Sequence, residues 1–185
     1  MSSSAVNLLM HPVRLRIVNA LSGARTLTTA QLCERMPETS KATIYRHVER
    51  LAAGGVLLVA SETLVGGAVE RQFRLRQDRV RIDANAAAAM SHDDHRHLFT
   101  AAMAALIAEF NAYLDRGHAD PYADSVSYRQ FVAWLSEAEL AELVGELRAI
   151  LFALAGRGPT PDRRPYLLST IMFPTEARTG SAPGE

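Results

Sequence analysis

Six side chains in one short stretch, Ser40, Lys41, Thr43, Tyr45, Arg46 and Arg50, carry hydroxyls and cations. Such groups bind phosphate oxygens, and Arg, Lys, Ser and Thr also hydrogen-bond the edges of bases. Their spacing leaves one face free for another purpose. Ile44, Val48 and Leu51 stand at i, i+4 and i+7, the apolar stripe that holds a helix against a core. Donors on one side and hydrocarbon on the other suit a helix laid in the major groove of duplex DNA. A helix with a merely solvated polar face would look similar, so the neighbouring elements decide.

Those elements begin with HPVRLRIVNALS, residues 11–22. Proline sits early there, where its missing amide hydrogen costs least. Val13, Ile17 and Ala20 or Leu21 form the inner stripe, Arg14 and Arg16 are expected outside, and Gly23 ends the helix. Thr28 and Gln31 have capping-box spacing for a second helix that would bury Ala30, Leu32 or Cys33, and Met36. Pro37 stops it, Glu38-Thr39 turns the chain, and Ser40 caps the third helix. Thr28 and Thr29, at the entrance of the second helix, join the candidate DNA-contacting residues. Gly54-Gly55 closes the third helix, because glycine readily takes the left-handed conformation of a helix exit.

Two β-prone runs follow, VLLVASE and VERQFRLR, joined by LVGGA. In the second, Phe73 and Leu75 alternate with Arg74 and Arg76, the period of a half-buried strand. Two strands with a Gly-Gly tip directly after a reading helix make a wing, and Arg71 near that tip is placed to reach DNA.

The stretches HPVRLRIVNAL, LTTAQLCERM, SKATIYRHVERLAAGGVL and VERQFRL resemble the winged helix-turn-helix DNA-binding domain of ArsR-like bacterial transcriptional regulators. The resemblance covers residues 8–78. It implies a homodimer on a two-fold-symmetric operator, with one recognition helix per half-site. Ser40, Lys41, Thr43, Tyr45 and Arg46 match the base- and phosphate-facing positions, and Arg71 matches the wing. One departure matters: metal-sensing members carry a Cys-x-Cys type motif, whereas Cys33 is the single cysteine of this chain. FVAWLSEAEL and RRPYLLSTIMFP further resemble the C-terminal part of one subgroup of such regulators, a likeness that brings no ligand with it.

The formal net charge of the 185 residues is zero, which conceals a split. Residues 1–82 hold 12 Lys or Arg against 6 Asp or Glu, and residues 83–185 hold 8 against 14. A basic half joined to an acidic half suits a DNA-contacting module fused to a module with another task. The lone cysteine leaves no disulfide within the chain, the first residues lack the pattern of a secretion signal, and no long uncharged apolar span is evident. A cytoplasmic protein without membrane contact is expected.

Residues 83–90, DANAAAAM, favour helix. From Leu98 to Leu114 almost every side is apolar, as in an interior or interface helix. Before it stand His92, Asp93, His95 and His97, competent zinc or nickel ligands by chemistry, although Ser91 and the acidic residues also suit a plain helix entrance. Tyr128, Phe131 and Trp134 or Leu135 recur at helical spacing. Ser136 and Glu139 then open a helix whose Leu140, Val144, Leu147, Leu151 and Leu154 follow a coiled-coil step. After the loop 156–165, YLLSTIMFP is a β-prone, extended run. Phe99, Met103, Phe110, Tyr113, Phe131 and Trp134 offer a pocket for a small apolar effector, or alternatively fill a core and dimer interface.

The sequence therefore predicts a mainly α protein with a small β-wing. A winged helix-turn-helix domain (residues 1–82) precedes an α-helical dimerisation and effector region (83–174) and a disordered tail (175–185). The expected function is a homodimeric repressor binding double-stranded DNA at an inverted repeat, with no cofactor and with control by an apolar effector. The alternatives are a metal-responsive regulator using His92, His95 and His97, and a winged helix that serves protein partners without DNA. No phosphate loop, nucleophile elbow or HExxH motif occurs, so no enzyme is expected.

Overall fold

The computed structural model describes residues 7–76, 78, 80, 87–155 and 157–176. The expectations for residues 83–86 of the alanine-rich region and for the tail beyond 176 lie outside the described residues.

Helix α1 (Pro12–Leu21) is capped by His11, whose Nδ1 accepts the Val13 amide at 3.2 Å. It buries Ile17, Val18 and Leu21, and it also buries Arg14 and Arg16, which the sequence placed outside. Strand β1 (Thr26–Thr28) runs straight into α2 (Thr29–Arg35). Thr28 ends the strand and caps the helix at once. Its hydroxyl accepts the Gln31 amide at 3.2 Å, while Gln31 Oε1 accepts the Thr28 amide at 3.0 Å. Leu32, Cys33 and Met36 all face the core, and Ala30, expected inside, is exposed because the short helix turns that position outward.

Helix α3 (Lys41–Ala53) starts at Ser40 and ends on Gly54, after which Gly55 takes a positive φ of 71°. Strand β2 (Leu57–Val65) and strand β3 (Ala68–Leu75) then form a hairpin longer than the two β-prone runs suggest. Gly66 and Gly67 alone make its turn, at φ 58° and 85°, the pair of left-handed residues that a tight two-residue hairpin requires. The sheet order is β1-β3-β2, all antiparallel. Strand β1 is too short to leave a period in the sequence, and it sews the wing to the helices through Leu27 opposite Phe73. The core gathers Ile17, Leu21, Leu32, Met36, Ile44, Val48, Leu51, Val56 and Leu57.

Helix α4 (His92–Leu114) packs against α1 through buried Ala101 and Ala105. By length and composition alone it would suffice to cross a membrane, against the expectation of no such span, yet it lies here against α1. Helix α5 (Glu137–Ala155) follows. Its capping box is formed as expected, with the Glu139 carboxylate accepting the Ser136 hydroxyl at 2.7 Å and amide at 2.8 Å. Residues 126–136 are not helical, against the expectation drawn from Tyr128, Phe131 and Trp134. Phe131 and Trp134 stand in solvent and only Tyr128 meets another ring, that of Phe110, so no common face rewards the helical spacing. Residues 166–174 likewise form no strand.

Candidate nucleic-acid interface

Helix α3 is held from behind and open in front. Ile44 and Leu51 are 0 % exposed and Val48 is equally enclosed, pinned between α1, α2 and the start of β2. Lys41, Tyr45, Arg46, Glu49 and Arg50 point to solvent. At the N-terminus the Ser40 hydroxyl accepts the Thr43 amide at 3.3 Å and donates to Thr43 Oγ1 at 2.9 Å. These two hydroxyls thus organise the helix entrance while remaining at the surface. Thr29 is half-buried beside it.

Two of the candidate residues stand differently from their expectation. Thr28 is 4 % exposed, with its hydroxyl engaged in the capping box, so it is a structural cap and not a contact. Arg71 is exposed on the wing, but its Nε donates to Glu62 Oε1 directly across the hairpin at 2.8 Å. Such an exposed pair is worth little. A phosphate can replace the carboxylate at small cost.

Beneath the reading face lies a group that the sequence did not single out. His47 is buried on the inner side of α3, its ring 4.3 Å from that of His11 and tilted by 44°. Arg14 is buried beside them without an acidic partner among the described residues, and burial followed by the charge of Arg50 lowers its pKa. Burial, then His11, Arg14, Arg46 and Arg50, press His47 down to about 4. His11 is lowered by burial and by the same three arginines. The charges acting on these rings are therefore all cationic, which raises the positive potential on the exposed side of α3. The only sequence signal was the joint presence of HPVR and RHVER, two pieces that meet only after folding.

A pH dependence follows. With its folded pKa below the ordinary value near 6.5, His47 contributes stability that is complete above that value and is lost as pH falls towards about 4. The loss approaches about 3 kcal/mol. Urea unfolding at pH 7.5 and pH 4.5 measures it, and His47→Gln will reduce the difference between the two pH values.

The remaining candidates are dispersed. Asp94 accepts the Ser91 hydroxyl at 2.8 Å, a bond that lowers its pKa, and Asp93 accepts from Arg96 at 2.5 Å. His92, His95 and His97 are exposed on the first two turns of α4, and among the described residues no group of three potential ligands converges on one point. Of the proposed pocket, Phe110 lies near Tyr113 and Tyr128, at ring distances of 6.0 and 6.4 Å. Phe99 and Met103 lie earlier on α4, and Phe131 and Trp134 stand in solvent. A cleft of about 380 Å³ opens elsewhere, between the exit of α1 and the sheet, lined by Leu21, Arg25, Leu58, Arg74 and Asp78 among others.

Comparison with protein families gives a match to a helix-turn-helix domain over residues 9–60, which runs from the approach to α1 into β2. The three-stranded sheet, with β1 inside that span and the β2–β3 hairpin at its end, is consistent with a winged form of that domain. No curated protein matches the chain.

Proposed function

We propose that this chain is a sequence-specific transcriptional regulator of ArsR-like type, a cytoplasmic homodimer that represses by occupying an inverted-repeat operator. The observation that carries the reading is the seating of α3. Its apolar stripe is locked into the core of a helix-turn-helix domain, and Lys41, Tyr45 and Arg46 project from the opposite face beside a two-stranded wing. In this reading Ser40, Lys41, Thr43, Tyr45 and Arg46 meet base edges and flanking phosphates along the major groove, with Lys41 and Arg46 each neutralising a phosphate, and Arg50 and Arg71 meet further backbone phosphates. The C-terminal half pairs the subunits and holds an apolar effector that favours one spacing of the two reading helices over another. The chain performs no catalysis.

Selection from random duplex DNA at near-physiological salt tests this. The expected product is an inverted repeat with half-sites about one helical turn, or a multiple, apart. On that operator, Lys41→Ala/Arg46→Ala will weaken binding and lower the salt slope by about two units, one for each cation withdrawn from a phosphate. Unchanged salt-dependent affinity in the double variant would remove α3 as the reading helix.

A further inference from the structure

Two arginines in the first half of α1 are buried, and the fold treats them oppositely. Arg16 is met by two carboxylates, those of Glu38 and Glu109. Arg14, 8 % exposed, meets none among the described residues, and its Nε is enclosed without a partner. Buried cations are ordinarily paired, because withdrawing a charge from water is costly. Arg14 thus holds a charge that no acid of the described residues balances.

Its surroundings add to the excess. His11 and Arg14 stand one turn apart at the start of α1, and His47 and Arg50 one turn apart on α3. The rings of His11 and His47 meet across the helix contact at 4.3 Å, and the charge of Arg50 acts on Arg14. The charges felt by His11 are those of Arg14, Arg46 and Arg50. Helices α2 and α4 and the sheet, which also pack on α1 or α3, add neither acid nor further cation to that set among the described residues. The group is not sealed. Of the Arg14 guanidinium only Nε is enclosed, and no bond among the described residues occupies Nη1 or Nη2, so both reach solvent. His11 Nδ1 accepts the Val13 amide, which puts the proton of the neutral ring on Nε2 as a donor.

We propose that Arg14, Arg50 and His11 Nε2 form a seat for one phosphate of the DNA backbone, at the edge of the base-reading face of α3. This deepens the regulator reading given above and rests on it. The ligand is an anion because guanidinium groups offer donors and no acceptor, and the tautomer of His11 adds a further donor. The backbone of a duplex is favoured over a free anion by continuity. Arg50 and Arg46 are exposed one turn apart on the same helix, so the seat extends the surface along which α3 meets DNA. Occupation also shifts a proton equilibrium. In the free protein burial, then Arg14, Arg46 and Arg50, hold His11 below its ordinary value. A phosphate at Nε2 opposes those cations and favours the imidazolium. The bound state then carries more protons than the free state, so affinity rises as pH falls.

Methionine keeps most of the volume of Arg14 and removes its charge. On the selected operator, full-length Arg14→Met will bind about tenfold more weakly, with a salt slope lower by about one unit. Its urea midpoint will stay at or above that of the wild type, because a buried charge without a protein partner is no source of stability. His11→Asn, which keeps a capping side chain, will abolish the severalfold gain in affinity that the wild type shows between pH 8 and pH 6. An unchanged affinity and salt slope in Arg14→Met, with Lys41→Ala/Arg46→Ala still weakened, would remove the seat and leave the reading helix in place. A lowered urea midpoint with an unchanged salt slope would make Arg14 a packing residue and overturn the seat. A gain at low pH that survives His11→Asn would remove His11 from it. Inorganic phosphate separates the two sources of the anion. If it raises the wild-type urea midpoint above that in chloride of equal ionic strength, and Arg14→Met abolishes this rise without weakening DNA binding, the seat serves a free anion and the backbone assignment falls. A wild type that selects no DNA would overturn both the regulator reading and the seat.

Discussion

Replacing both Glu38 and Glu109 by glutamine will lower the unfolding free energy by about 3–5 kcal/mol, whereas Arg16→Met will cost less than about 1 kcal/mol. The asymmetry comes from burial. Arg16 is 3 % exposed, while its two partners keep substantial contact with water. Its Nε donates to Glu109 at 2.8 Å, its Nη1 donates to Glu38, and its Nη2 is enclosed without a partner among the described residues. Burial lowers the guanidinium pKa, but the bonds from Glu109 and Glu38 outweigh it and the net direction is upward. Removing both carboxylates strands a buried charge. Removing the arginine instead leaves two acids that water can hydrate, with methionine filling the space. Urea unfolding of the three proteins at neutral pH measures the difference, and equal losses would mean that the arginine's packing, not its charge, matters.

Ile44→Ala will cost about 2–5 kcal/mol, because the side chain is fully enclosed and its removal leaves a cavity among α1, α2 and α3. Its sequence neighbour gives the control. Tyr45 is 49 % exposed, so Tyr45→Ala will change stability by no more than about 1 kcal/mol. On a selected operator Tyr45→Ala will weaken binding with the fold intact, and Ile44→Ala will weaken it through the folded fraction. Denaturant melts beside binding isotherms separate the two routes, and a large stability loss in Tyr45→Ala would contradict the orientation of α3.

Much of the N-terminal domain is legible because its signals are local. Capping at Thr28 and Ser40, the break at Pro37, the stripe Ile44–Val48–Leu51 and the Gly-Gly turn each act within a few residues, and each is where the sequence places it. Arg14 and Arg16 defy the sequence for the opposite reason. A cation reads as solvent-facing unless its partners are known, and one partner of Arg16 lies 93 residues away on α4. His47 escapes notice because a histidine among arginines looks like part of a basic surface. Strand β1 has three residues and owes its existence to β3. In the C-terminal half, aromatic spacing around Trp134 imitates a helix, for i and i+3 recur in any chain rich in large residues. Helix α5 is legible from its cap and heptads, and what it packs on is not.

The hairpin carries a discontinuity with a use of its own. Val59 pairs with Phe73 and Ser61 with Gln72, so Ala60 is an extra residue that breaks the register. Inward of it, Leu57 and Phe73 belong to the core; outward of it, every residue from Ser61 to Arg71 is exposed. The outer part is thus a cantilever clamped at Ala60, reaching about 17 Å from its clamp by strand geometry. Because no core contact extends past the clamp, pairs of residues can be added or removed there without disturbing the helices. The reach of the wing is in this sense an adjustable length, set at the hairpin and independent of the seating of α3.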